Sequence, residues 1–281
     1  MSDNTTHDAA NHIPTRAMAI VAHPDDIEFG CAGTVARWTR AGATVCYVLC
    51  TDGDVGITTP GVTRKQAADI RRAEQVAAAR VLGVDEVVFL GHPDGLLFNT
   101  LELRRQLIYQ LRRFRPDTLI TLDPTVVFVG DQYINHPDHR AAGQAALDAV
   151  FPAAGMPLVF PEMAAEGLRP HHTRHIYVNT WGEGVNTYID ITDTIELKIC
   201  ALQQHKSQVG DRDIGERIRQ SASERGQGQG IAYAEGFRVI SLGWGPEEDT
   251  HIPPTPAEEW EPCAEIGGTE PVVIRVNAAD D

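Results

Sequence analysis

A chain of 281 residues, 42% hydrophobic and 22% charged, has the composition of a globular protein and the length to bury a large core. Its 24 basic and 39 acidic residues leave a net charge of −15, which argues against nucleic-acid binding and disfavours a polyanionic substrate, though not a small local basic pocket. No run approaches the roughly 20 apolar residues of a membrane span.

Residues 1–16 are polar and lack the apolar segment of a secretory signal, so they are expected to form a disordered leader. Met18–Ala22 reads as a strand stopped by His23-Pro24, and Ile27–Ala41 carries helical spacing. Thr44–Thr51, rich in β-branched and aromatic residues, is the next strand. A Gly/Thr/Pro-rich loop over Asp52–Gly61 leads into a helix over Thr63–Leu82, ended by Gly83. Glu86–Leu90, Leu101–Phe114 and Thr118–Leu122 read as strand, helix and strand, and His136–Val150 as a loop passing into an Ala-rich helix. This alternation predicts an α/β fold: a Rossmann-like, doubly wound, mainly parallel sheet with helices on both faces. Beyond a Pro/Gly-rich connection over Pro152–Pro170, strands are expected at His175–Trp181, Tyr188–Ile191 and Phe237–Leu242, with a helix over Thr194–Lys206. Residues 17–244 form one expected domain, and 245–281 an irregular Pro/Glu-rich extension that leaves a homo-oligomer open. Five cysteines without C-x-x-C spacing, in a chain without a signal segment, are expected to be reduced thiols of a cytoplasmic protein.

Ligands of open α/β sheets bind beyond the carboxyl ends of the strands. His23-Pro24-Asp25-Asp26 follows the first strand, His92-Pro93-Asp94-Gly95 the third, and Asn135-His136-Pro137-Asp138-His139 the fourth. One such triplet is ordinary turn chemistry; three on one sheet edge indicate a site. His23 and Asp26, three apart on a strand-to-helix turn, can converge on a divalent metal, with His139 as third ligand and a position open for water. Asp25 and His136 then flank that position as acid and base candidates. Gly30 and Gly33 do not make a dinucleotide fingerprint, because the spacing is not G-x-G-x-x-G and His-Pro-Asp-Asp occupies the turn.

Ala22–Asp26 with Glu28 and Gly30, Thr51-Asp52-Gly53, Arg71-x-x-Glu74, Pro93-Asp94-Gly95, Asp123-Pro124 and His136–His139 together resemble the LmbE-like/PIG-L superfamily of zinc-dependent N-acetylglucosaminyl de-N-acetylases. Tyr188-x-Asp190-Ile191 and Lys198 to Gln208 extend the resemblance over residues 17–242. It implies Zn2+, or another divalent ion such as Fe2+, on His23, Asp26 and His139, with Asp25 as general base. It further implies His136 as the group that holds the oxyanion or protonates the leaving amine, Asp138 as its orienting partner, and Arg71 and Asp94 as substrate contacts. Ile27 stands where the family's common form has glutamate. The implied partner is a small N-acetylated amino-sugar molecule; no nucleic acid and no transmembrane segment are expected. Two other readings keep the same residues: a non-haem iron enzyme on the His/Asp/His set, and a non-catalytic sugar- or nucleotide-binding module. The sequence assigns no role to Glu28, His92 or His205.

Overall fold

The computed structural model describes residues 9–210, 213–243 and 271–276. Its strands are β1 (Arg16–Val21), β2 (Thr44–Thr51), β3 (Glu86–His92), β4 (Thr118–Leu122), β5 (Phe128–Val129), β6 (Tyr133–Ile134), β7 (His175–Asn179), β8 (Thr187–Asp190), β9 (Ala234–Ser241) and β10 (Val272–Arg275). Its helices are α1 (Asp26–Gly30), α2 (Ala32–Arg40), α3 (Arg64–Val81), α4 (Leu101–Phe114), α5 (Pro137–Val150), α6 (Glu162–Ala165), α7 (Ile195–Leu202), α8 (Lys206–Val209) and α9 (Gly215–Gly226).

Eight strands form one sheet in the order β10-β3-β2-β1-β4-β7-β9-β8. The central run β3-β2-β1-β4-β7 is parallel throughout, and β10, β9 and β8 join antiparallel to their neighbours. The expected α/β architecture is therefore present. Burial explains the continuous apolar reading of these strands: Ala17–Val21 are all about fully enclosed, as strands covered on both faces must be. The crossovers run outward from β1 through β2 to β3, then return through α4 to β4 and continue to β7. β1 and β4 thus flank the point where strand order reverses, and the crevice at their carboxyl ends is where ligands of such sheets sit.

On one face Trp38 of α2 meets Tyr177 of β7 edge-on at 5.3 Å, and Tyr177 meets Phe237 of β9 at 5.7 Å. On the other, α4 packs against α5. Gly143 lets α5 lie directly on β4, since a Cβ there would stand 2.2 Å from the Leu122 carbonyl oxygen. That contact sets the height of the N-terminus of α5 above the sheet edge.

Three expectations are revised. The helix expected over 27–41 is broken at Cys31 (φ −144°, ψ 13°). The break gives α2 its own N-terminus, whose Gly33 and Thr34 N–H groups donate to the Glu235 carboxylate at 3.0 and 2.8 Å. Lys198 completes this buried set, donating to Glu235 at 2.6 Å and to the Phe29 carbonyl at 2.9 Å. Residues 9–15, assigned from sequence to a disordered leader, lie against the sheet: the Tyr177 hydroxyl donates to the Ala9 carbonyl, and Asp117 accepts the Thr15 and Arg16 amides. Within the expected C-terminal extension, 272–275 forms β10 on the edge of β3; residues 1–8, 244–270 and 277–281 lie outside the described residues. No described helix is long and apolar enough to cross a membrane.

Candidate functional site

The turn after β1 is built around Asp26, the first residue of α1. Its Oδ2 accepts the Ala22 and His23 amides at 3.1 and 2.8 Å, which closes the turn and fixes the carboxylate. Its Oδ1 faces His139 Nε2 at 3.0 Å, and Oδ2 lies 3.7 Å from His23 Nδ1. Burial alone would raise this carboxyl; His139 and His23 outweigh it and hold it well below the usual range. His23 Nε2 faces Asp94 Oδ1 at 3.1 Å and Asp138 Oδ2 at 3.3 Å. Burial would lower the His23 ring, but Asp138, Asp26 and Asp94 push it up to about 12. So many carboxylates around one imidazole make the pocket demand positive charge, which a proton or a divalent cation supplies.

The fourth strand delivers the opposing wall. Val126–Ile134 makes a small hairpin in which β5 pairs with β6, and it closes where the Asn135 N–H donates to the Val127 carbonyl. Asn135 is buried, its amide nitrogen donates to the Val126 carbonyl, and its Oδ1 lies 3.1 Å from His139 Nδ1. His136 is the N-cap of α5, with Nδ1 accepting the Asp138 amide at 3.1 Å. His23, His136 and His139 group their rings within 4.8 to 5.3 Å of one another and present nitrogens close enough to share an ion.

The hydrogen-bond partners orient these rings differently. Asn135 Oδ1 can only accept, so His139 Nδ1 donates to it, and the ring is turned so that Nε2 points at the Asp26 carboxylate. Two carboxylates can only accept, so His23 Nε2 donates, and Nδ1 is left pointing toward Asp26 Oδ2. His136 is the reverse. Its Nδ1 lone pair is engaged by a backbone N–H, so in the neutral ring Nε2 carries the proton. Burial and the neighbouring charge on His23 push the His136 pKa down. Two of the three imidazoles thus aim a ring nitrogen at the Asp26 carboxylate, where an ion would take the place of their protons, and the third offers an N–H. This donor set fits a divalent metal with two nitrogens and one oxygen.

Asp25 faces the same space from a left-handed backbone (φ 94°, ψ −20°), a conformation that costs a non-glycine residue about 1–3 kcal/mol. Arg71 lies 3.2 Å from its Oδ2 and also donates to the carbonyls of Pro24 and Gly53. Gly53 and Gly56 make room for that guanidinium, since a Cβ on either would fall within 2.4 Å of Nη1. Burial pushes the Asp25 carboxyl up to about 7 against the opposing pull of Arg71. Behind the turn, Gln75 Oε1 accepts the Asp25 amide at 3.0 Å. Gln75 Nε2 donates to Glu28 at 3.0 Å, and Glu28 in turn meets His205 Nε2 at 3.1 Å. All three are fully enclosed. Burial would lower the His205 ring, and the Glu28 carboxylate outweighs it, raising the ring above its usual value.

The structure therefore brings His23, Asp25, Asp26, Asp94, Asp138 and His139 around one crevice, with His136 at its mouth, its side chain 40% exposed. Several contacts differ from those the resemblance implied. Asp138 accepts the Gly95 and Leu97 amides at 2.7 and 3.2 Å, and its carboxylate lies nearer His23 (3.3 Å) than His136 (4.0 Å). Asp94 pairs with His23 and accepts the Val55 amide, and Arg71 is buried behind Asp25. His92 pairs with Gln106 at 2.7 Å, a structural contact. Asn135 and Lys198 were read from the sequence only as the first residues of motifs, with no role, and Gln75 and Glu235 were not singled out. The one-turn spacing of Arg71 and Gln75 on α3 was the available signal for Gln75.

A family model described as PIG-L, GlcNAc-PI de-N-acetylase, matches residues 18–150. Diacetylchitobiose deacetylase of Thermococcus kodakarensis is 33% identical over 229 residues, covering 80% of this chain and 83% of that protein. The 1D-myo-inositol 2-acetamido-2-deoxy-alpha-D-glucopyranoside deacetylase of Streptomyces griseus is 31% identical over 193 residues, covering 59% of this chain and 56% of that protein. Among solved structures, N,N'-diacetylchitobiose deacetylase of Pyrococcus horikoshii superposes with a TM-score of 0.76 at 31% identity, covering 85% of this chain and 88% of the other.

Proposed function

The chain belongs to the PIG-L (LmbE-like) family, and from that premise we propose that it is a metal-dependent hydrolase that removes the acetyl group from an N-acetylglucosamine-containing small molecule. The observation that carries the reading is the convergence of His23 Nδ1 and His139 Nε2 on the Asp26 carboxylate, with His136 turned the other way. His23 Nδ1, His139 Nε2 and the Asp26 carboxylate would hold the ion, Zn2+ by donor chemistry, while His136 Nε2–H remains a donor. Bound there, a divalent ion supplies a Lewis acid that lowers the pKa of a water to about 7 and polarises an amide carbonyl.

The residues of the chain do the rest. Asp25, adjacent to the ligand Asp26 and paired with Arg71, accepts a proton from the attacking water. A carboxyl lifted toward neutrality by burial is a stronger base at pH 7 than an ordinary one. His136 Nε2–H donates to the oxygen of the tetrahedral intermediate, and a proton then passes to the departing amine. Arg71 holds Asp25 in place. The free thiols among the described cysteines, three of them buried, accord with a reducing compartment, and we infer a cytoplasmic enzyme.

Acetate release tests the reading. Chelated enzyme, re-supplied with Zn2+ or Fe2+, is assayed on diacetylchitobiose and on N-acetylglucosaminyl-inositol. Metal-dependent acetate release from either is the expected result. Tight sugar binding without release from either would overturn it in favour of a binding module, and oxygen-dependent turnover would favour an iron oxygenase.

A further inference from the structure

Asp25 sits in a left-handed backbone conformation (φ 94°) that is costly for any residue but glycine, and the groups that hold it there are in view. α3 approaches the turn with two side chains one helical turn apart. Arg71 holds the Asp25 carboxylate, and Gln75 holds its backbone N–H at 3.0 Å. Gln75 has no exposure to solvent, and its amide orientation is forced from the far side: Nε2 must donate to Glu28, so Oε1 must face Asp25. Glu28 is itself oriented by His205. The order of donors and acceptors along this buried line is therefore unique.

We propose that Gln75 is a positioning residue for catalysis: the Gln75–Glu28–His205 line fixes the left-handed backbone of Asp25 and so aims its carboxylate. The proposal rests on Asp25 being the general base. It separates two functions of α3, since Arg71 sets where the carboxylate ends and Gln75 sets the backbone from which it starts. Loss of Gln75 leaves the Asp25 amide without its buried acceptor and lets the turn relax toward an ordinary conformation. The metal-facing groups are untouched, because Asp26 is held by the amides of Ala22 and His23.

Four variants test it: Gln75→Met, Gln75→Glu, the exchange Gln75→Glu with Glu28→Gln, and Asp25→Asn. Each is measured for metal content, thermal midpoint, kcat and KM, and hydrogen exchange of the 22–31 segment. Gln75→Met removes both hydrogen bonds at similar length, and kcat is expected to fall about 10²-fold, the scale of a small misplacement of a reacting group. KM and metal content should hold, and exchange in the 22–31 segment should quicken. Gln75→Glu sets two carboxylates face to face and should be worse. The exchanged pair restores every donor and acceptor and should recover most of the loss, a coupling that a merely space-filling glutamine would not show. Wild-type kcat in folded Gln75→Met overturns the proposal, as does a folded exchanged pair no better than Gln75→Glu. Where Gln75→Met fails to fold, the exchanged pair decides. If Asp25→Asn turns over normally, the base assignment itself fails; if it is impaired while Gln75→Met is not, only the positioning role falls.

Discussion

Asp25 and Asp26 are adjacent in sequence and opposite in environment. Asp26 is capped by two amides and faced by two imidazoles, so it stays ionised; Asp25 is buried in a strained turn with its carboxyl pushed up to about 7. Neighbouring carboxylates driven apart in this way take different roles. Asp25→Asn should keep its metal and lose about 10²–10⁴-fold in kcat, the usual contribution of general acid–base catalysis. Asp26→Asn should instead lose metal, read by elemental analysis; the reverse pattern would exchange the two roles. The base works ionised, and its pKa is raised, so kcat/KM should fall as pH drops through that pKa. The acidic limb should therefore lie above the ordinary carboxylate value of about 4. His139 depends on Asn135 for its orientation, since Asn135 Oδ1 accepts from Nδ1 and turns Nε2 toward Asp26. Asn135→Leu should weaken metal binding by about 10–100-fold in a chelator competition, as loss of a ligand's outer partner does; unchanged affinity would make the contact incidental. The positions of His23, Asp26 and His139 were legible because each follows a strand at the sheet edge. Contacts across long sequence separations were not, and Asp94, expected on substrate, pairs with His23 from a loop remote in sequence.

At the scale of elements, periodicity placed the core strands and the helices α3, α4, α5 and α7, but it missed α9 (Gly215–Gly226), whose buried face holds only Gly215, Ile218, Ala222 and Gly226 in an otherwise polar sequence. It failed at Cys31, where Gly30-Cys31-Ala32-Gly33 continues a helical run locally. The break there is decided by Glu235, which lies far along the chain and captures the two amides that a continuous helix would have used. The hairpin of β5 and β6 was missed for another reason: two-residue strands carry no period to detect. α5 shows how an element carries a site. It brings His136, Asp138 and His139 in its first turns and rests on β4 through Gly143. Gly143→Ala must push the helix off the Leu122 carbonyl. It should destabilise the protein by about 1–3 kcal/mol, the usual cost of overpacking, and lower kcat as the three residues shift together. A thermal midpoint and kcat equal to the parent's would show that the helix has slack.

For the whole molecule, the core and the crevice are separable. The buried parallel strands pack through apolar side chains, and the crevice carboxylates of Asp26 and Asp138 are held by backbone amides. Chelation should abolish activity and leave the far-ultraviolet dichroism unchanged, with activity returning on Zn2+ addition; loss of the helical signal would mean the metal is part of the fold. The Lys198–Glu235 pair is different, because it joins the break between α1 and α2 to β9. Lys198→Met strands a buried carboxylate and should cost about 3–5 kcal/mol in denaturant unfolding. The last strand has a further consequence. β10 comes from the far end of the chain and pairs antiparallel with β3 from Phe89 to Glu86, on the flank of the sheet that the central domain leaves uncovered. A chain cut after Leu242 would keep every catalytic candidate yet present the ladder of β3, with its apolar Val87, Val88 and Phe89, to any passing copy. Proteolytic trimming or C-terminal fusion would then act on solubility before it acted on chemistry: clouding on storage should precede any change in kcat per folded molecule.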